Sequence, residues 1–330
     1  MPDVALRHNL SPMADILDRR DFLTRSALGA AALALPQLRS RTGASAPAMF
    51  VSLPPWAVAR KVGWPEQARL AARVGYKGID WAFGPAKAAG VDATRALLAE
   101  LGIVPTIVNL PMSGTLGPDD AAFDAQLPAL ADDAAFCRAI GCSRFQLVLG
   151  AATLEGQSKA ERWTQVQRRL SAVAAVLAKQ DVRLGLEFLG PLVFRAAPRV
   201  PFVWTLRETL ALCEAAGPNV GVTLDAWHWH HSGGAVADIR AADASRIVHV
   251  HVSDARAMPP EEVRDDMRLL PGEGVIDLVG FFGALQAIGY RGGVAPETIG
   301  PRIPDTMPPD ESARIALEAT TAVMKKAGVA

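Results

Sequence analysis

Five of the six histidines of this 330-residue chain lie in two short stretches that also carry acidic residues. The first covers residues 225–231 (Asp-Ala-Trp-His-Trp-His-His) and the second 249–254 (His-Val-His-Val-Ser-Asp), and each begins in or directly after an apolar run. Two further apolar runs end on Glu187 and Glu297. A Glu, an Asp, a His and a Glu therefore fall on four consecutive predicted strands. Two or three oxygen ligands with one imidazole suit Mn²⁺, Mg²⁺, Co²⁺ or Zn²⁺ and leave positions open for a substrate.

Each of these side chains has an ordinary structural explanation when it is taken alone. A lone carboxylate at a strand end is more often a helix cap than a ligand, and a lone buried histidine is usually a hydrogen-bonded core residue. Glu187 follows Leu-Gly-Leu and Glu297 follows Val-Ala-Pro, so both end apolar strands, where an unpaired charge is costly. Four such groups on adjacent strands favour one shared cation over four unrelated caps.

The two histidines of the second stretch, His249 and His251, share a parity along their predicted strand. Because side chains alternate between the two faces of a strand, both point to one side and the intervening valine points to the other. One of the two can ligate a metal, and the other then lies deeper in the protein. His230 and His231, at the end of the first stretch, are expected in an exposed loop.

The elements that must position these residues alternate along the chain. Apolar runs predict buried parallel strands at 49–53, 78–81, 103–109, 144–149, 182–188, 220–225, 247–253 and 293–298. Helical patterns lie near 65–74, 92–101, 119–140, 159–180, 205–216, 234–243, 277–288 and 309–327. This alternation predicts an α/β fold, a (β/α)₈ TIM barrel over residues 49–330, whose active centre lies at the C-terminal strand ends. A doubly wound open sheet is the alternative, but no Gly-x-Gly-x-x-Gly follows the first strand.

The motifs around these residues resemble the xylose-isomerase-like TIM-barrel superfamily of sugar isomerases and epimerases. Its epimerase branch has Leu-Glu on strand five, Leu-Asp-x-x-His on strand six, His-x-His on strand seven and a Glu on strand eight. The chain has the matching residues in the same order: Leu186-Glu187, Leu224-Asp225-Ala226-Trp227-His228, His249-Val250-His251, Glu297. Residues 268–274 (Arg-Leu-Leu-Pro-Gly-Glu-Gly) are similar to the family's Arg-x-x-Pro-Gly-x-Gly loop after strand seven, and the likeness spans about residues 49–328.

The resemblance implies a role for each matching residue. The ligands of one divalent metal ion would be the following four: Glu187, Asp225, His251, Glu297. His228 and Arg268 would hold oxygens of a small-molecule sugar substrate. One position departs from the ketose 3-epimerases, which carry another Glu six residues after the strand-five Glu, whereas this chain has Val193. The departure counts against 3-epimerisation of a free ketose.

The chemistry of such a site follows from its charges. A divalent cation that chelates a ketone and the neighbouring hydroxyl acidifies the C–H between them and stabilises the enediolate. Two carboxylates on opposite sides of the sugar, Glu187 and Glu297, then act as base and acid. Proton return to the other face or to the adjacent carbon gives an epimerase or isomerase of a non-phosphorylated keto-sugar or keto-cyclitol. The alternative is a lyase or dehydratase, in which a group β to the carbanion departs from a 3-keto-glycoside or an inosose.

Further contacts to a sugar-like substrate are expected from aromatic and amide side chains. Trp81 at the end of strand two and Asn109 at the end of strand three are the candidates, and Trp56 also lies on the expected active face. Tryptophan faces stack on the C–H surfaces of sugars, although core packing explains many such residues equally well.

Residues 1–48 are predicted to be a separate signal segment and linker. Residues 18–24 (Asp-Arg-Arg-Asp-Phe-Leu-Thr) resemble a twin-arginine export motif, a weakly apolar run follows at 26–35, and small residues at 44–48 offer a cleavage point. The run is too short to span a membrane, so no stable membrane insertion is expected. The pattern predicts export of the folded protein to the periplasm by the twin-arginine route; a basic amphipathic surface helix is the alternative.

Composition and cysteine spacing narrow the classes of partner. Basic and acidic residues number 34 each, so nothing indicates a nucleic-acid partner. The three cysteines match no zinc-binding spacing and are expected to be buried free thiols. A homo-oligomer is compatible with the sequence. A DNA-repair endonuclease of the related three-zinc barrel would need further ligands on strands two to four, and a non-catalytic sugar-binding module would not need the glutamates at 187 and 297.

Overall fold

The computed structural model describes residues 49–330, which form a closed barrel of eight parallel strands. In chain order the strands are β1 (Phe50–Leu53), β2 (Gly78–Asp80), β3 (Val104–Asn109), β4 (Arg144–Leu149), β5 (Arg183–Phe188), β6 (Val220–Asp225), β7 (Ile247–Val252) and β8 (Gly293–Pro296). Each strand pairs in parallel with the next, and β8 pairs with β1 to close the ring. The predicted (β/α)₈ barrel is confirmed, and the open doubly wound sheet is excluded.

Helices surround the strands and connect them. They are α1 (Pro55–Val58), α2 (Glu66–Val74), α3 (Phe83–Ala89), α4 (Val91–Leu101), α5 (Asp120–Asp124), α6 (Leu127–Ala139), α7 (Lys159–Ala178), α8 (Leu206–Ala216), α9 (Ala226–His231), α10 (Val236–Arg240), α11 (Leu278–Ala287) and α12 (Pro309–Lys326). Every predicted helical segment contains a helix. The segment 119–140 contains two, because Pro128 has no N–H to continue a helix and sits instead in the first turn of α6.

The strands that carry the candidate site are buried on both faces. Every residue of β6 and of β7 is buried, because the helices cover the outer face and the barrel interior covers the other. A parallel strand of this kind reads as a nearly continuous apolar run, which is why the sequence located both strands well. The polar residues within them are the exceptions that need partners.

The barrel interior contains one of these polar groups. His249 of β7 and Asp80 of β2 are both buried, and Nε2 of the histidine lies 3.0 Å from Oδ2 of the aspartate. Since β2 and β7 are not neighbours in the barrel, this hydrogen bond crosses its interior. Ser52 of β1 and Thr106 of β3 donate to the other carboxylate oxygen. The contacts join four strands on a level deeper than the C-terminal rim.

Further expectations concern the N-terminal segment, membrane insertion and the cysteines. The predicted signal segment, residues 1–48, lies outside the described residues. Among residues 49–330, the structure contains no helix with the length and apolar character needed to cross a membrane. Cys137, Cys142 and Cys213 are buried free thiols, which confirms the prediction made from their number and spacing.

Candidate metal centre

Four side chains of the metal-binding type meet at the C-terminal rim of the barrel. Glu187 and His251 lie next to the last residues of β5 and β7, and Asp225 is the last residue of β6. Glu297 directly follows β8, and its N–H donates to the Val252 carbonyl oxygen at 2.9 Å, which continues the ladder. One ligand atom from each of the four lies within 4.8 Å of the others, and all four are buried. Their role as metal ligands stays a prediction.

Asp225 is both a helix cap and a member of this centre. It is the N-cap of α9, and its Oδ1 accepts a hydrogen bond from the Trp227 N–H at 2.8 Å. Its Oδ2 accepts a hydrogen bond from Nη1 of Arg268 at 2.7 Å. The helix-cap explanation therefore holds for one oxygen, while the other faces the shared centre.

The imidazole of His251 lies between carboxylates on both of its edges. Nδ1 is 2.8 Å from Oε1 of Glu187 and 3.1 Å from Oε2 of Glu297. Nε2 points the other way and lies 3.6 Å from Oδ2 of Asp80. Nδ1 is thus the nitrogen that faces the other candidate ligands. Of the two histidines that the sequence left open, His251 belongs to the rim and His249 lies deeper.

Arg268 is fully buried beside the same carboxylates. Its Nη1 donates to Oδ2 of Asp225 at 2.7 Å and to Oε2 of Glu297 at 3.0 Å. Its Nη2 donates to Oδ1 of Asp265 at 2.8 Å and lies 3.2 Å from Nε2 of His228. The loop after β7 holds the arginine there, because Leu269 forms a backbone bridge to Asp254. The Arg268 N–H also donates to the Ile299 carbonyl oxygen at 3.1 Å.

The charges of the buried centre fit a divalent cation. Four buried carboxylates (Asp80, Glu187, Asp225, Glu297) face the Arg268 guanidinium and three imidazoles: His228, His249, His251. With the four carboxylates ionised and only Arg268 and His251 cationic, the centre carries two net negative charges. Buried negative charge needs a cation or several donors, and oxygen ligands with one imidazole suit Mn²⁺, Mg²⁺, Co²⁺ or Zn²⁺. Glu187, Asp225, His251 and Glu297 would hold such an ion.

The two glutamates have opposite pKa shifts. Burial raises the pKa of the Glu187 carboxyl, and the negative charge of Glu297 adds to this effect. Burial also acts to raise the pKa of Glu297, but the positive charges of Arg268 and His251 outweigh it and hold that pKa well below its ordinary value. For His251, burial is outweighed by Glu297 and Glu187, so its pKa is raised well above the usual one. Two neighbouring carboxyl groups whose pKa values are shifted in opposite directions are typical of an acid and base pair.

The rim is open to solvent beside β4. Val148 pairs in register with Glu187, so the two side chains point to the same side of the sheet. Val148 is 43% exposed, whereas Glu187 is only 4% exposed. Asn109 is also exposed, and its Oδ1 accepts a hydrogen bond from Nε2 of Gln146 at 2.8 Å. A substrate therefore has room on the β3–β4 side of the four candidate ligands, where Asn109 lies.

The other predicted substrate contacts lie in different surroundings. His228 is buried in α9 next to Arg268, and its Nδ1 makes no hydrogen bond within residues 49–330. Trp81 is buried, and its ring packs against Phe83 and Phe136 with centroids 5.7 and 6.1 Å apart. His228 thus has a polar atom left for a ligand. Contacts of substrate with Trp81 and Asn109 stay predictions.

His230 and His231 were expected in an exposed loop, and that expectation is wrong. Both belong to α9 and are half-buried. The ring of His231 packs edge-on against Trp227 with centroids 4.4 Å apart. The helix forms because Asp225 caps its first turn and because Trp227, in that turn, is fully buried.

Two residues that contact the centre carried weaker signals in the sequence. Nε1 of Trp56 donates to Oε1 of Glu297 at 3.1 Å, and its ring lies 6.0 Å from that of His251. Asp80 faces the opposite edge of His251. Asp80 is the last residue of β2, so a carboxylate at the end of an apolar strand was the available signal, but Asp80 was not among the predicted site residues. What the sequence did not show is that side chains of β2 and β7 meet across the barrel interior.

Comparisons with known proteins agree with this geometry. The family model for the xylose isomerase-like TIM barrel matches residues 68–323. The chain is 29% identical over 158 residues to inosose isomerase of Halalkalibacterium halodurans, covering 48% of this chain and 53% of that protein. It is 33% identical over 116 residues to 3-dehydroshikimate dehydratase of Pseudomonas putida, covering 34% of this chain and 17% of that protein. The chain spans about half the length of the curated isomerases it matches.

Solved structures extend the likeness over the whole barrel. A xylose isomerase domain protein from Alicyclobacillus acidocaldarius superposes with a TM-score of 0.77 and 30% identity, over 85% of this chain and 100% of that chain. The IOLI protein, solved with a bound zinc atom, superposes with a TM-score of 0.72 and 22% identity, over 84% and 99%. The second likeness shows the fold alone. Since the family model covers most of the barrel, the chain belongs to the xylose isomerase-like TIM-barrel family.

Proposed function

We propose that this protein is a divalent-metal-dependent isomerase or epimerase of a non-phosphorylated keto-sugar or keto-cyclitol. The observation that carries the proposal is the meeting of three carboxylates and one imidazole within 4.8 Å at the barrel rim. The match to inosose isomerases supports a keto-cyclitol as substrate, because an inosose is a cyclic polyol with one ketone. The zinc atom of the IOLI structure supports a divalent ion in a barrel of this fold.

The chemistry assigns the proton transfers to the two glutamates. A divalent ion held by Glu187, Asp225, His251 and Glu297 would polarise the carbonyl oxygen and the neighbouring hydroxyl of the substrate. Of the two glutamates, one would remove the proton from the hydroxyl-bearing carbon next to the carbonyl, and the other would return a proton. Return to the other face inverts the carbon, and return to the adjacent carbon moves the carbonyl.

Arg268 and His228 hold the oxygens of the substrate in this proposal. The guanidinium and the imidazole are 3.2 Å apart and both are buried. Nδ1 of His228 has no partner within residues 49–330 and can donate to a substrate oxygen. The Arg268 N–H groups already have partners in the site, so Arg268 would exchange one of these partners for a substrate oxygen. Hydrogen bonds from such fixed donors are worth most where negative charge develops during the reaction. They orient the substrate so that the C–H to be broken faces the glutamates.

A second candidate function is a lyase or dehydratase on the same site. Val193 stands where the ketose 3-epimerases have a Glu, and it lies in the 3₁₀ turn Leu192–Phe194 near His228. The match to 3-dehydroshikimate dehydratase supports elimination in this family. In this case one carboxylate removes the proton, the C–O bond β to the new carbanion breaks, and Arg268 or His228 donates to the leaving oxygen.

Metal analysis and proton exchange test the proposal. We expect about one divalent ion per chain, and keto-sugars or inososes that incorporate deuterium from D₂O with the metal-loaded protein. Glu187→Gln and Glu297→Gln are expected to lower the exchange rate by at least about a hundredfold, the scale of one general acid or base. Glu318→Gln, an exposed glutamate of α12, is the matched control and should exchange normally. Absence of bound metal, or undiminished exchange in both variants, contradicts the proposal.

Product analysis separates the two candidate functions. With an inosose or a 3-keto-glycoside in D₂O, an isomerase or epimerase gives an isomer of unchanged mass apart from deuterium. A lyase gives an unsaturated product together with water or the free aglycone. Mass spectrometry and NMR of the same reaction mixture distinguish the isomer from the unsaturated product.

We also propose that residues 1–48 direct export by the twin-arginine route. Support comes from the Arg19-Arg20 pair and the apolar run after it. Replacing both arginines with lysine keeps the charge, and we expect it to leave the protein in the cytoplasm. Periplasmic recovery of the double variant at the level of the unaltered chain would contradict this proposal.

A further inference from the structure

A cavity of about 950 Å³ opens on the C-terminal face next to β4 and β5. Its walls are the loop that follows β4 and the segment that follows β5. Backbone hydrogen bonds tie the two together, from the Thr153 N–H to the Val200 carbonyl oxygen at 2.9 Å and from the Phe202 N–H to the Ala151 carbonyl oxygen at 2.8 Å. The cavity, which we call the β4–β5 chamber, therefore has walls held by the fold.

None of the four candidate ligands lines the β4–β5 chamber, and two residues of its wall, Leu189 and Phe194, connect it to the candidate metal centre. Leu189 in its wall lies two residues after Glu187, and β4, which ends just before the chamber, carries the solvent-exposed Val148. Phe194 lines the chamber, and its ring lies 6.4 Å from that of His228. A substrate held by the glutamates and His228 would therefore extend into this space from the open side of the rim.

The size and lining of the chamber point to a particular kind of group. A volume of about 950 Å³ is near the upper end of drug-sized ligand pockets, about 300–1,000 Å³, and exceeds the need of one small ring. Its wall is largely apolar, with the following side chains: Ala151, Leu154, Leu189, Phe194, Pro198, Val200. Arg199 and Glu155 supply charge at exposed positions. Apolar walls with an aromatic ring favour an aromatic or other bulky apolar group.

We infer that the β4–β5 chamber binds an aromatic or bulky apolar substituent attached to the keto-sugar. The inference rests on the proposed function, because it assigns the reacting ring to the metal centre and the non-reacting part to the chamber. It narrows the substrate class from free sugars to glycosides. In the lyase alternative, the same chamber would hold the departing aglycone.

Binding of two non-reactive glucosides tests this inference. Phenyl and methyl β-D-glucoside carry no ketone and are not turned over, so calorimetry on the metal-loaded protein measures binding alone. We expect the phenyl compound to bind at least about tenfold more tightly, because burying its ring adds roughly 1.4 kcal/mol or more. Equal dissociation constants, or no binding of phenyl glucoside, overturn the inference.

Two matched valine variants test whether the β4–β5 chamber causes the preference for phenyl over methyl glucoside. Val200 lines the chamber and is 48% exposed, so Val200→Asp puts a charge into the chamber without disturbing the core. We expect it to reduce the preference for phenyl over methyl glucoside by several-fold. Val279→Asp on α11 changes an equally exposed valine away from the chamber and should keep the preference. If Val200→Asp leaves the preference for phenyl over methyl glucoside unaltered, the inference is overturned. If only the proton exchange in D₂O fails, the proposed function is contradicted instead.

A second inference comes from the buried contacts of Asp80. One carboxylate oxygen accepts hydrogen bonds from Ser52 (2.6 Å) and Thr106, and the other lies 3.0 Å from Nε2 of His249 and 3.6 Å from Nε2 of His251. All five residues are buried. The hydroxyl groups and His249 fix the carboxylate, so its negative charge is held on one edge of the His251 ring.

We propose that Asp80 is a positioning residue for the metal ligand His251. Metal-binding histidines commonly face a carboxylate with the nitrogen that does not bind the ion, and this fixes the ring orientation and tautomer. Here Oδ2 of Asp80 faces Nε2 at 3.6 Å, which is too far for a hydrogen bond, so the carboxylate acts on the ring through its charge. Nδ1, on the other edge of the ring, is directed toward Glu187 and Glu297. Asp80 touches neither the other candidate ligands nor the space beside β4. It acts through His251.

Cobalt binding tests the role of Asp80. We expect Asp80→Asn to bind Co²⁺ about 10–100-fold more weakly, the usual effect of losing such a partner, and to alter the visible absorption of the Co²⁺ complex. Asp133→Asn removes another buried carboxylate, the partner of Lys87, and should change neither measurement. If Asp80→Asn does not fold, the Ser52→Ala/Thr106→Val double variant frees the carboxylate and should weaken Co²⁺ binding several-fold. Unchanged affinity in the folded variant overturns the proposal, and no Co²⁺ binding by the unaltered protein contradicts the proposed metal site itself.

Discussion

At the residue scale, the candidate centre combines groups that would be unstable if buried singly. Asp225 and Glu297 share the Arg268 guanidinium, and Glu187 shares the His251 imidazole with Glu297. Each carboxylate therefore has a positive or potentially positive neighbour within 3.1 Å. In the proposed reaction, the same side chains would carry out the proton transfer, so stability and chemistry would depend on the same contacts.

Replacing Arg268 tests how much these buried contacts contribute to the stability of the protein. In the metal-free protein, we expect Arg268→Met to lower the free energy of unfolding by about 3–5 kcal/mol, because Asp225 and Glu297 lose a buried partner. Added divalent metal should restore part of the loss, since it offsets the same charges. Denaturant unfolding with and without metal measures both effects. Arg314→Met breaks an exposed pair with Glu318 and should cost less than about 1 kcal/mol; an equal loss in both variants would contradict the account.

His231 should make stability fall in mild acid. Burial lowers its pKa to about 4, and the nearby positive charges act in the same direction. The unfolded chain binds a proton near pH 6.5 while the folded protein does not, so the free energy of unfolding decreases as the pH falls from about 6.5 to 4. His231→Gln should remove up to about 1.4 kcal/mol per pH unit from this slope. Comparing both proteins at pH 8 corrects for lost packing; identical slopes would refute the prediction.

At the element scale, short junctions after the strands set the positions of the site residues. The segment after β5 lies directly on α9, which begins where β6 ends. A Cβ on Gly190 would come within 1.9 Å of the His228 carbonyl oxygen and 2.9 Å of the Ser232 N–H nitrogen. Only glycine allows this approach, so Gly190 fixes the distance between the β5 segment and the helix that carries His228.

Adding one methyl group at this junction should therefore impair both stability and function. We expect Gly190→Ala to destabilise the protein by about 1–3 kcal/mol or more, the scale of overpacking, and to reduce kcat/KM by displacing His228. Gly84→Ala in α3 is the matched control. A Cβ there has no atom within 4 Å, and the change should be neutral or stabilise by roughly 0.5–1 kcal/mol. Thermal unfolding and steady-state kinetics measure the two outcomes, and equal behaviour of the two variants would rule out the close-approach argument.

At the scale of the whole molecule, the centre links strands from different parts of the ring. Metal bound between β5, β6, β7 and β8 would stabilise the folded chain over the unfolded one. At a free concentration 100-fold above Kd, the expected gain is about 2.7 kcal/mol. For a barrel of this size, that corresponds to a rise in Tm of about 5 °C. Calorimetry across a metal titration measures it, and chelator should reverse it. A Tm independent of metal concentration would contradict a site of this kind.

The sequence by itself determined the fold class and the strand ends of the centre. Buried parallel strands are apolar, so Glu187, Asp225, His251 and Glu297 stand out as charged or polar groups where such strands end. A barrel brings all its C-terminal strand ends to one rim, and this rule alone predicts that the four residues meet. Local pattern and this rule left His249 and His251 as alternatives, and the choice of His251 as a ligand came from the family resemblance.

Tertiary structure decided which groups face each other across the ring. Asp80 and His249 are 169 residues apart, Trp56 and Glu297 are 241 apart, and no local pattern specifies either pair. The first contact depends on side chains of β2 and β7 meeting across the barrel interior, and the second on β8 closing against β1. Arg268 likewise reaches the ends of β6 and β8 only through the folded loop after β7. Periodicity fixes the side of a strand to which a residue points, whereas distances across the barrel depend on closure of the whole ring.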